Sequence, residues 1–342
     1  MDTALTRRTW TRKQFLIGSG VTAVSLLSGR DLLQAQPGSR ERRTVGQSGV
    51  AISAAGRGST TTTTMSAICP NQRRAIATAL LMALIFISLR VTQASPSNDA
   101  REQAGRIVAQ IQRADYEGNQ VAMQRGYDDL KPFLEYQELA SRIRYWRGFA
   151  KWRRAINGFN DSVDPKELEQ NLKTALDEFN IAMEEDPTFV DAKVGTISCL
   201  GYLAFMNRKD QARAKELVGQ IMPLVKEADE MAPDNPRLIW VHGPILWNTP
   251  PERGGGQDKA IENYRRGLEV CSKNKARDDA LEPSWGKPEL MMSLAYSYLN
   301  TKPSDINAAE RYARGAIEII PYWHYVGDIL LPQILAAKAK PQ

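Results

Sequence analysis

Apolar residues recur at spacings of three and four through nearly all of the chain after Ser95, and no convincing run of apolar–polar alternation interrupts them. Such a period puts one apolar stripe on each of a series of helices. The spacing predicts helices over 99–115, 119–136, 137–157, 166–185, 188–206, 209–231, 236–248, 257–273, 288–300, 305–319 and 322–338. Breakers fall between them: Asp164-Pro165, Asp186-Pro187, Pro233 to Pro236, Pro250-Pro251, Gly254 to Gly256, Pro283, Pro303 and Pro321. Ser304 is the expected N-cap of the helix that starts at Asp305. The expected class is therefore all-α, built from antiparallel helix hairpins.

The second helix of each expected pair carries a recurring signature. Ala175, Phe179, Ala182 and Pro187 stand at the same offsets as Ala309, Ala313, Ala316 and Pro321. Ala228 with Pro233, and Ala260 with Tyr264 and Gly267, repeat parts of it. Small residues let a neighbouring helix cross closely, an aromatic fills the gap, and the proline stops the helix. First-helix counterparts are Tyr145-Trp146 with Gly148-Phe149, Gly201-Tyr202, and Ala295 to Tyr298. These residues resemble the tetratricopeptide repeat. The resemblance implies a degenerate TPR-like stack of hairpins, an α-solenoid. The spacing departs from the family: Pro187 and Pro233 are 46 residues apart, against a repeat of about 34. Residues 233–300 also resemble a group of bacterial secreted repeat proteins, through Thr249-Pro-Pro-Glu-Arg-Gly-Gly-Gly and Pro283-Ser-Trp-Gly286. More loosely, they are similar to the periplasmic helical-repeat component of tripartite solute transporters. Neither resemblance supplies catalytic residues.

Charge and composition change the picture upstream. The formal charge of +6 is a property of the leader, since residues 1–94 hold twelve basic and three acidic side chains. The remainder is mildly acidic, which argues against a nucleic-acid partner. Arg73-Arg74, the apolar stretch Ala75–Leu89 and Thr92-Gln-Ala94 have the layout of a secretory signal peptide. Its apolar stretch of fifteen residues falls short of the roughly 20 that span a bilayer. An uncleaved anchor in the inner membrane is the alternative, and only it would give membrane contact. Thr11-Arg-Lys-Gln-Phe-Leu16 resembles a twin-arginine export motif with Lys13 in the second arginine position. Residues 36–64 are rich in Gly, Ser, Arg and Thr and read as disordered. Two signals in series are redundant. The expectation is that translation starts at Met65, with a Tat-like leader from Met1 as the alternative. The expected organisation is 1–64 as a disordered leader, 65–94 as one short apolar signal or anchor helix, and 95–342 as the repeat domain. The product is expected to be exported, periplasmic or secreted.

Residues 142–154 interleave basic and aromatic side chains (RIRYWRGFAKWRR). One reading is a partner-contacting face carried by Arg144, Arg147 and Lys151. The other is an amphipathic helix whose buried stripe is Leu139, Ile143, Trp146 and Ala150, with its arginines in water. Trp240 and Trp247 belong to an aromatic-rich C-terminal half and are the candidates to line a ligand pocket. Gly254 to Gly256 precede a helix but lack the Gly-Lys-Ser/Thr of a phosphate loop, so they read as a flexible hairpin connection. Two histidines 82 residues apart give no metal-ligand spacing. Cys199 reads as a small buried hydrophobe, with a bond to Cys271 left open. No nucleophile motif is present, no cofactor is expected, and no enzyme activity is expected. The function expected is a non-catalytic scaffold that binds a protein or peptide on its concave face. The alternative is a periplasmic solute-transport accessory that binds a small ligand.

Overall fold

The structure, a computed structural model, describes residues 98–273 and 279–339, all within one unit. The expected leader (1–64) and signal segment (65–94) lie outside the described residues. Among the described residues eleven α-helices follow one another: α1 (Asn98–Glu117), α2 (Gln120–Asp129), α3 (Gln137–Asn160), α4 (Pro165–Glu185), α5 (Val190–Met206), α6 (Gln211–Met231), α7 (Pro236–Asn248), α8 (Gln257–Lys273), α9 (Lys287–Asn300), α10 (Ile306–Ile319) and α11 (Leu331–Lys338). No strand occurs among the described residues, and none of their helices is long and apolar enough to cross a membrane.

The caps explain the boundaries. Asp164, Asp210 and Asn235 each accept a backbone N–H from the first turn of α4, α6 and α7. Pro165 and Pro236 take the first helical position, where the missing N–H costs nothing. The cap of α10 is Asp305, which accepts from Ala308 N at 2.8 Å, one residue later than the expected Ser304. The aspartate also puts a negative charge at the positive end of the helix. Two expected helices are broken. The one over 119–136 becomes α2 and a 3₁₀ turn at Lys131–Glu135, because Pro132 cannot donate to the α-helical ladder. The one over 322–338 begins as a π-helical stretch at Tyr325–Leu330 that runs into α11.

Each helix packs on its chain neighbours, and the pair α3–α4 is the most extensive. The odd-numbered helices α1, α3, α5, α7 and α9 also touch one another in succession, forming an inner row. The even-numbered helices, which carry the Ala/aromatic/Ala positions, make no comparable contacts among themselves. Ala175, Ala182, Ala260, Ala309 and Ala316 are all fully buried.

Two further segments pack against the inner row. Residues 279–286 lie against α3: Trp146 Nε1 donates to Leu281 O at 2.8 Å, and Trp285 Nε1 donates to the Tyr145 hydroxyl at 2.9 Å. The C-terminal segment returns to α1, where Trp323 meets Tyr116 with ring centroids 5.1 Å apart. The glycine loop connects α7 to α8, with its backbone tied to α7. Gly256 N donates to Leu246 O at 2.9 Å, and a Cβ on Gly255 would lie 2.3 Å from Thr249 O. Gly254 and Gly256 adopt φ of +83° and +112°, a region that side chains disfavour.

Candidate ligand site: an aromatic cavity on the inner row

α3 is buried nearly all round, because α1, α2, α4, α5 and the 279–286 segment surround it. Leu139, Ile143, Trp146 and Ala150 are buried, as the stripe predicts. The arginines are not all in water, as an amphipathic helix would have them. Arg147 and Arg153 are each 5% exposed. Carboxylates from the neighbouring helices make this possible, since a buried charge needs a partner.

Arg144, Arg147 and Lys151 are brought together, but by contacts within the chain. Arg147 pairs with Glu178 of α4 at 2.9 Å and stacks over the Tyr127 ring at 3.9 Å. Arg144 reaches the other oxygen of Glu178 at 3.0 Å. Lys151 donates to Gln124 Oε1 and lies 4.5 Å from the Tyr127 ring centre. Burial, aided by Arg154, holds the Lys151 ammonium below its usual range.

Trp240 and Trp247 lie seven residues apart on α7 but have different surroundings. Trp240 lines a partly open cavity of about 90 Å³. Trp247 does not line it; it packs on Tyr296, which does, with ring centroids 6.2 Å apart. The cavity walls come from the inner row, from α8 and from the C-terminal segment. α3 gives Arg153, Ile156, Asn157 and Asn160, and α5 gives Tyr202. α7 gives Trp240 and Pro244, α8 gives Tyr264, and α9 gives Met292, Ser293 and Tyr296. Trp323 and Tyr325 close the remaining side. Six aromatic rings therefore face one small space.

The polar groups in the wall are few and held in place. Trp240 Nε1 donates to Ser293 Oγ at 2.9 Å. Arg153 Nε donates to Asp115 Oδ2 at 2.8 Å, and Asn157 Nδ2 donates to Asp115 Oδ1 at 2.9 Å. Burial alone would lower the Arg153 pKa, but the Asp115 carboxylate outweighs it and raises it, so the guanidinium stays charged. Burial pushes the phenols of Tyr202, Tyr264, Tyr296 and Tyr325 upward, so they stay neutral at pH 7. Phenols so shifted are weak acids and can still donate a hydrogen bond through their hydroxyls.

Of the two tryptophans expected to line a pocket, Trp240 reaches this cavity and Trp247 does not, and the α3 wall was not among the expected positions. The signal was present: positions 139, 143, 146 and 150 continue to 153 and 157 at helical spacing. Arg153 and Asn157 are thus polar residues in the register of a buried stripe. Cys199 is buried and Cys271 half-buried, and both are free thiols.

No protein-family model matches the chain, and neither curated proteins nor solved structures yield a match.

Proposed function

We propose that this chain is a binding protein without turnover, and that the aromatic cavity is where it holds a small solute. The observation that carries this reading is the set of six aromatic rings around one partly open space of about 90 Å³. Ligand sites are typically concave, mostly apolar and provided with a few fixed polar groups, and Arg153, Asn157 and Ser293 supply those here. A well-packed domain leaves few such voids.

The hairpins α1–α2, α3–α4, α5–α6, α7–α8 and α9–α10 form, on this reading, a degenerate tetratricopeptide-like solenoid. The inner row of odd helices and the buried Ala/aromatic/Ala positions on the even ones support it. The solute site is then on the concave face of the stack, narrowed to a pocket by Trp323 and Tyr325 of the C-terminal segment. Export rests on the signal-like residues 65–94. A soluble periplasmic species beginning at Ser95 would support it, and the N-terminus of the native protein is the measurement. A protein partner at Arg144, Arg147 and Lys151 has less support, because their charges are engaged within the chain.

The test is a titration of the full chain with small neutral solutes such as butyramide and 2-butanone, read by tryptophan emission and melting temperature. Saturable changes are expected, and Asn160→Phe, which fills the mouth, should weaken them. Absence of any saturable change would overturn the reading.

A further inference from the structure

Arg153 is the one charged residue among the described residues that line the cavity. Its Nε is committed to Asp115, yet among the described residues neither η nitrogen makes a hydrogen bond. Neither is a sealed, unsatisfied atom, so both retain contact with open space. The side chain itself is buried, 5% exposed, with its guanidinium carbon 5.6 Å from the Trp152 ring centre and 5.8 Å from that of Trp240. A guanidinium held this way presents its outer edge, two parallel N–H donors, in the geometry that matches a carboxylate. The other charged groups near it are Asp115, which occupies Nε, and Glu289, which binds the Tyr116 hydroxyl and Gly286 N instead.

We propose that the η edge of Arg153 anchors the carboxylate of a small monocarboxylic acid whose apolar body lies against Trp240 and the tyrosines. This rests on the cavity being a solute site, and it adds the chemical class of the solute. Three features select that class. Among the described residues, no carboxylate lines the cavity to repel an anion. The aromatic walls favour an apolar tail over a fully hydrated anion such as phosphate. The space of about 90 Å³ compares with roughly 150 Å³ for a cavity that holds benzene, so the acid is short. Arg153 also fixes polarity, with the head toward α3 and the tail toward α7 and α9.

The experiment is calorimetric titration of the full chain with butyrate, its neutral isostere butyramide, and inorganic phosphate. Butyrate is expected to bind at least about tenfold more tightly than butyramide, as a charge-assisted bidentate pair requires, and phosphate much more weakly. Arg153→Lys, which keeps the charge and an ion pair with Asp115, should lose most of that preference while still binding butyramide. The double variant Asp115→Asn, Arg153→Gln removes both members of the pair together and serves if the single variant does not fold. Saturable butyramide binding without any preference for butyrate overturns the carboxylate anchor and leaves the solute cavity standing. No binding of either solute overturns both. Phosphate binding as tight as butyrate overturns the monocarboxylate class, and an undiminished preference in both variants overturns the role of Arg153.

Discussion

Gly195 of α5 approaches the ring of Phe179 of α4 so closely that a Cβ on the glycine would lie 2.4 Å from it. On the opposite side Gly148 of α3 leaves the same kind of gap, with a Cβ at 2.8 Å from the same ring. Phe179 is fully buried and cannot move aside. Gly195→Ala is therefore expected to destabilise the fold by about 1–3 kcal/mol, the usual cost of overpacking a core. Adding Phe179→Leu should recover part of the loss, because the two effects share one space. Urea unfolding of the two single variants and the double variant checks this; strict additivity would mean that the contact is not the cause.

That contact also shows what could be read from the chain. Ala175, Phe179 and Ala182 mark α4 as the second helix of a pair, and the helix bounds at 236–248 and 257–273 agree with the spacing. Hydrophobic period and proline placement are local signals, so they survive in a single sequence. The partners of Phe179 were not legible. Gly148 lies 31 residues earlier and Gly195 sixteen later, and nothing local ties a glycine to a distant ring. The cavity was legible only through Trp240, because its wall draws on five helices and the C-terminal segment. Arg153 was hidden by composition: among five arginines in thirteen residues, only the three-dimensional neighbours decide which are buried.

Glu178 gathers two arginines and a tyrosine hydroxyl inside the protein. It accepts from Arg147 at 2.9 Å, from Arg144 at 3.0 Å and from the Tyr127 hydroxyl at 3.1 Å, while almost fully buried. Glu178→Ala leaves Arg147 without its counter-charge inside the protein. The expected cost is about 3–5 kcal/mol, as for other broken buried pairs. Arg147→Met combined with Glu178→Leu should cost much less, since no lone charge remains. Denaturant unfolding separates the two; a loss below about 1 kcal/mol for Glu178→Ala would place the pair among solvated surface bridges.

Glu289 gives a pH dependence of definite sign. Burial holds its carboxyl above the ordinary range, against the opposing influence of Arg153 and of the hydrogen bond from Tyr116. The folded state therefore binds this proton more tightly than the unfolded chain. Ionising the group costs stability, and the loss sets in as pH rises through the ordinary carboxyl range toward the raised folded value. Glu289→Gln can still accept from Gly286 N, and it cannot ionise. The difference in stability between Glu289→Gln and the native chain should move in favour of the variant from pH 4 to pH 7. A constant difference across that span would show that Glu289 keeps its proton equally well in both states.

Tyr145 ties the 279–286 segment to the inner row, and it does so with one atom. Its hydroxyl accepts from Trp285 Nε1 at 2.9 Å, and both side chains are buried. Tyr145→Phe keeps the ring, which packs on Phe179 and Phe189, but removes the acceptor. The indole N–H of Trp285, on a buried side chain, is then left without its partner. That omission costs about 1–3 kcal/mol. Its effect should be local as well as global, because the next tie is the bond from Trp146 to Leu281 O. Hydrogen exchange should speed up at Leu281 to Gly286 more than in α5 or α6. The cavity should respond too, since Trp285 packs directly on Trp240 with ring centroids 5.6 Å apart. Weaker solute binding by Tyr145→Phe, with the secondary structure unchanged by circular dichroism, would couple the segment to the site; binding unchanged while the segment loosens would make it a cover with no influence on the cavity.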